Sequence, residues 1–130
     1  MIPLIDAPIA TLLAGIFAGM LVMLSGAVSV RRIATKTSLG QGSDDLLFRL
    51  IRAQGNFVEF APMGLIAIFL VEIDSGGHGL VWTLAALLLA GRLIHAASMT
   101  AGFLLGRSAG MILTYASLGT AAYHLISRAF

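Results

Sequence analysis

Residues 7–30 read APIATLLAGIFAGMLVMLSGAVSV, an apolar run without one charged side chain. About 20 such residues carry an α-helix across the roughly 30 Å hydrocarbon core of a bilayer. Three further apolar stretches of similar reach follow, at about 46–73, 80–105 and 108–126. A strand reading fails on pattern, because the period-2 alternation of a membrane barrel is missing and the helix formers alanine and leucine dominate. In lipid each backbone polar group must be satisfied within its own element, and a helix does this. The expectation is an all-α, multi-pass, four-helix transmembrane bundle that occupies residues 1–130 as a single membrane domain.

Composition agrees. The chain is 58% hydrophobic and only 11% charged, whereas an average soluble domain is about a quarter charged. A soluble fold this short leaves too much of its surface exposed to hide that apolar content. The absence of cysteine excludes a disulfide frame, a thiolate metal site and a cysteine nucleophile. The net charge of +2 rests on few cations and no basic run with interleaved aromatics, so no nucleic-acid partner is expected. Residues 1–6 lack the positive leader of a signal peptide, and the run behind them is expected to stay as the first span.

The connections set the topology. Residues 31–43, RRIATKTSLGQGS, form the one long polar loop, broken by Gly40 and Gly42, with Ser43 placed as N-cap of the second helix. Residues 74–79, DSGGHG, read as a tight turn, and 102–107 as a very short one. Arg31, Arg32, Lys36 and Arg49 flank the first connection and Arg107 lies in the third, so the positive-inside rule puts both in the cytoplasm. Arg128 alone opposes this. Glycines four apart, Gly15 with Gly19 and Gly102 with Gly106 and Gly110, suit close helix packing, or reflect only the glycine content usual in membrane helices.

The second span carries the unusual residues. Arg49, Arg52, Asn56 and Glu59 follow at spacings of three, four and three, which makes one stripe along a helix. Glu59 lies roughly four turns in. A charge at that depth costs at least about 2.5–3.5 kcal/mol, so it is expected to face the protein interior or a wet cavity. Pro62 frees a backbone carbonyl near Val58 and can kink the helix. The third span adds Arg92, with His95 three residues on. One reading is a structural ion-pair network, Glu59 with Arg52 or Arg92. The other is a polar cavity for an anionic ligand, because guanidinium groups bind carboxylates bidentately.

Residues 52–62, RAQGNFVEFAP, resemble the signature of the MAPEG family (membrane-associated proteins in eicosanoid and glutathione metabolism). Arg, Asn, Glu, an aromatic and Pro recur there at these offsets. Residues 39–42, LGQG, and 91–96, GRLIHA, look like its small bacterial members. The resemblance implies a homotrimer in the bacterial inner membrane, with glutathione or a similar thiol as co-substrate between protomers. By position, Arg52, Asn56 and Glu59 would hold its charged ends, Arg92 and His95 would line the same cavity, and Arg31 or Arg32 would reach in from a neighbour. Arg107, beside Ser108, would take the place of the thiol-activating arginine. The electrophile would be a hydrophobic small molecule delivered from the lipid bilayer.

Phe60 stands where many members have tyrosine, and Ser98, Met99 and Phe103 stand where enzymatic members carry tyrosines late in the third span. The alternatives are therefore a non-catalytic MAPEG-like binding protein, or a structural membrane assembly with a buried polar relay. His78, His95 and His124 lack partners at metal-site spacing, so no metal is expected. No nucleotide-binding phosphate loop is present.

Overall fold

The computed structural model describes residues 6–75 and 78–129 and contains α1 (Pro8–Thr35), α2 (Asp45–Ser75), α3 (His78–Ala101) and α4 (Leu104–Ala129). The all-α, four-helix expectation holds. Residues 76 and 77 of the expected glycine turn lie outside the described residues.

Each helix ends for a local reason. α1 outruns its apolar stretch through Arg31 and Arg32 and stops where Lys36 turns left-handed (φ 55°), its N–H returning to the carbonyls of Arg32 and Ile33. Gly40 and Gly42, both at positive φ, carry the loop onward. The cap of α2 is Asp44, one residue after the expected Ser43, because its Oδ1 accepts the Leu47 N–H at 2.6 Å. α3 stops at a left-handed Gly102 (φ 77°), where the Phe103 N–H reaches the Ser98 carbonyl and the Gly102 N–H reaches Met99. This is a Schellman ending. It makes the third connection shorter than expected and draws Arg107 into the first turn of α4. α2 runs through Pro62 without a break.

α1, α2 and α3 are each long and apolar enough to cross a membrane. α4 is more polar and follows α3 antiparallel through the same depth. Ser98 meets Gly106, His95 meets Gly110, Arg92 meets Thr114 and Leu84 meets Ser117, so one number falls as the other rises. Gly91 and Gly110 permit this contact: a Cβ on Gly91 would lie 2.8 Å from the Gly110 carbonyl oxygen, and one on Gly110 would lie 2.7 Å from that of Gly91. The Gly106 and Gly110 packing expectation is met here, while a Cβ added at Gly15 or Gly19 would meet nothing within 4 Å.

The apolar core joins Ile9, Leu13 and Phe17 of α1 to Phe57, Ala61 and Ile68 of α2 and Leu84 and Leu88 of α3. Phe17 and Phe57 meet edge to face at 5.4 Å. Outward positions remain apolar, with Met23 75% and Leu105 73% exposed, as lipid requires. At the end of the bundle opposite the long loop, the buried Glu72 carboxylate accepts the N–H groups of Ile9 and Ala10 at 2.9 and 2.7 Å. It supplies the negative charge that a helix N-terminus favours and fastens α1 to α2.

Candidate functional site

The polar centre is built around Arg92, which is only 1% exposed. Its Nη1 donates to Asn56 Oδ1 at 2.6 Å, and Nη2 and Nε donate to Thr114 Oγ1 at 2.7 and 3.1 Å. Nη2 also approaches the Met111 sulfur at 3.4 Å, and the guanidinium lies 5.4 Å from the Phe60 ring centroid. Three helices thus converge on one cation. Its partners are neutral: among the described residues the ion pairs are Arg31 with Asp44 and Arg128 with Asp74, whose Oδ2 also lies 3.2 Å from His124 Nε2. Neutral dipoles satisfy its donors and leave its positive charge uncancelled.

Beside this centre a groove of about 320 Å³ opens between α3 and α4, walled by His95, Arg107, Ser108, Met111 and Tyr115. Met111 separates it from Arg92. Tyr115, in the groove wall, packs edge to face on Phe60 at 5.8 Å. Arg107 adds a full charge to the first turn of α4, where the N–H groups already point a positive dipole end and no acidic residue sits. With one cation, Arg107, the hydroxyls of Ser108 and Tyr115, and no carboxylate among its lining residues, the groove favours an anion, and a thiol placed against Arg107 would be drawn toward thiolate.

The structure sorts the remaining sequence candidates. His95, Arg107 and Ser108 share the groove, with Arg92 behind its wall. Asn56 is committed to Arg92. Arg52 and Glu59 are exposed on the outside of the bundle, and no Glu59–arginine ion pair forms among the described residues. The expected ion-pair network and the inward-facing Glu59 are therefore corrected. The reason is angular. At 100° per residue, the stripe from Arg49 to Glu59 is centred well away from the buried line of Ala53, Phe57, Ala61 and Ile68. Arg52 and Glu59 fall about 140° and 160° from that line, whereas Arg49, Asn56 and Phe60 turn farther inward and are half-buried.

Arg31 forms a two-point pair with Asp44, at 3.0 and 2.7 Å. This contact, with the Leu47 N–H, holds the Asp44 carboxyl below the usual carboxylate range. Arg32 donates to the carbonyls of Thr37 and Gly40 and shapes the loop.

Sequence reasoning missed Thr114, Met111 and Glu72. A signal existed for α4: residues 104, 107, 108, 111 and 115 recur at the spacing of one helix face, which is the face that lines the groove.

Among known proteins, the inner membrane protein YecN of Escherichia coli, in strains K12 and O6:H1, is 29% identical over 87 residues. That alignment covers 67% of this chain and 66% of YecN, so the chain spans just under two thirds of the relatives' length. No solved structure matches the chain. The MAPEG family matches residues 10–127, nearly the whole bundle from α1 to α4. The chain is an integral membrane protein and belongs to the MAPEG family.

Proposed function

We propose that the protein binds glutathione or a related thiol in the groove between α3 and α4 and presents its thiolate to a hydrophobic electrophile from the bilayer. The observation that carries this reading is the convergence of His95, Arg107 and Ser108 on one open groove, backed by the buried, uncancelled charge of Arg92. Arg107 stabilises the thiolate. His95 and Ser108 hold the polar backbone of the tripeptide, and Arg92 keeps the potential at the groove positive while fixing α2, α3 and α4 against one another.

A groove of about 320 Å³ is at the small end of ligand sites. Arg52 and Glu59, charged and outward-facing on α2, suit a neighbouring copy that enlarges it. In a homotrimer in the inner membrane, Arg52 meets a carboxylate of glutathione and Glu59 meets its α-amino group. The donors of Arg31 are committed to Asp44 and those of Arg32 partly to loop carbonyls, so both play the lesser part.

A second reading, binding without chemistry, is favoured by one feature. Ser98 and Met99 are buried, and α3 offers no hydroxyl to the groove beside a bound sulfur. A thermal-shift titration of the protein in nanodiscs with glutathione and its S-alkyl analogues tests binding. The proposed site predicts stabilisation by both, and no shift with either ends the proposal. Turnover of a model electrophile separates the two readings.

A further inference from the structure

We infer that the cytoplasmic end of α1 carries a binding site for the headgroup of an anionic phospholipid, separate from the groove between α3 and α4. A recess of about 350 Å³ lies there, lined by Arg32, Ile33, Lys36, Thr37 and Ser38. It holds two cations and two hydroxyl groups and no carboxylate. The nearest acid of the loop, Asp44, is already taken by Arg31 at 2.7 Å.

Depth identifies the ligand as lipid. α1 has 28 residues, or about 42 Å at 1.5 Å per residue, against a hydrocarbon core of about 30 Å. With its first turn fastened by Glu72 at the far side, its last turns reach the headgroup layer. Ile33 and Leu39, 79% and 87% exposed, flank the cations at that level. Large apolar side chains beside two cations suit a molecule with a phosphate above and acyl chains below. A free anion in water would make no use of them.

The backbone favours the same reading. Arg32 Nη1 donates to the Gly40 carbonyl at 2.8 Å and to that of Thr37 at 3.4 Å. These contacts hold the guanidinium in the recess and leave its Nε and Nη2 with no protein acceptor among the described residues. Lys36 occupies the left-handed position that ends α1 (φ 55°), where glycine would be less strained. A lysine there costs stability and places an ammonium group at the recess.

The test compares detergent-solubilised protein with phosphatidylglycerol, phosphatidylcholine or inorganic phosphate added at equal ionic strength, reading the shift in melting temperature. Phosphatidylglycerol alone should give a saturable rise. Its apparent affinity should fall roughly five-fold for each cation removed in Arg32→Gln and Lys36→Gln. Arg128→Gln, a matched loss of charge at the opposite end, should keep the full response. Lys36→Gly guards against misfolding: it relieves the left-handed strain, so the lipid-free melting temperature should rise while the lipid response weakens. Equal shifts with phosphatidylcholine, a shift reproduced by inorganic phosphate alone, or an undiminished response in Lys36→Gly would each overturn the inference.

Discussion

Arg92 Nη1 and Asn56 Oδ1 lie 2.6 Å apart, the contact through which α3 hands a buried positive charge to α2. Thr114 of α4 takes the other side of the same guanidinium. Because the acceptors are neutral, the cation is satisfied as a donor yet not cancelled as a charge. Such a centre both pins three helices and sets the potential of the neighbouring groove.

Removing an acceptor should therefore be costly. Asn56→Ala leaves a buried guanidinium short of a partner and should destabilise the bundle by about 1.5–3 kcal/mol. Thr114→Val should act in the same direction. Reversible unfolding in mixed micelles measures both. A change below about 0.5 kcal/mol in Asn56→Ala would show that Arg92 has another outlet.

The α3–α4 contact should be intolerant of a methyl group. Gly91→Ala and Gly110→Ala each push a Cβ against backbone oxygen at under 3 Å, and overpacking of this kind costs about 1–3 kcal/mol. Gly15→Ala meets open space in the protomer and should be neutral or gain up to about 1 kcal/mol in helix propensity. Melting temperatures of the three variants provide the comparison.

Glu72 should act as the fastener of α1. Glu72→Ala strands the Ile9 and Ala10 N–H groups, and two charge-assisted bonds to an N-terminus are worth about 2–3 kcal/mol together. Hydrogen exchange at those amides should accelerate while exchange in the middle of α3 stays slow. Unchanged exchange at Ile9 and Ala10 would contradict the cap.

Acid should loosen the first connection. The Asp44 carboxyl is lowered from its ordinary value of 3.8, first by its hydrogen bonds with Arg31. A depressed carboxyl contributes stability that is present above the unfolded value and lost as pH falls through the folded one. The acid limb of the melting curve should thus flatten in Asp44→Asn. An identical acid limb in parent and variant would show that Asp44 has no part in acid sensitivity.

Much of this was legible in the residues. Uncharged residues 7–30 and the repeated runs after them demand helices by length alone, and RAQGNFVEFAP with GRLIHA points to the family. The side that each polar group faces was not legible. Arg52 and Glu59 share a stripe with Asn56, and the few tens of degrees that turn Asn56 inward depend on where α4 packs. That packing follows from Gly91 and Gly110, whose close approach is a property of two helices together. Glu72 was overlooked because its partners are backbone N–H groups at the far end of the chain, which no side-chain motif announces.

Whether the groove holds a thiolate is decided by the ultraviolet absorbance of glutathione bound to the purified protein at neutral pH. The parent protein should show a thiolate band, Arg107→Ala should lose the band with binding retained, and His95→Ala should bind more weakly. Bound glutathione without a thiolate band, or a band of full strength in Arg107→Ala, would contradict the proposed role of the groove.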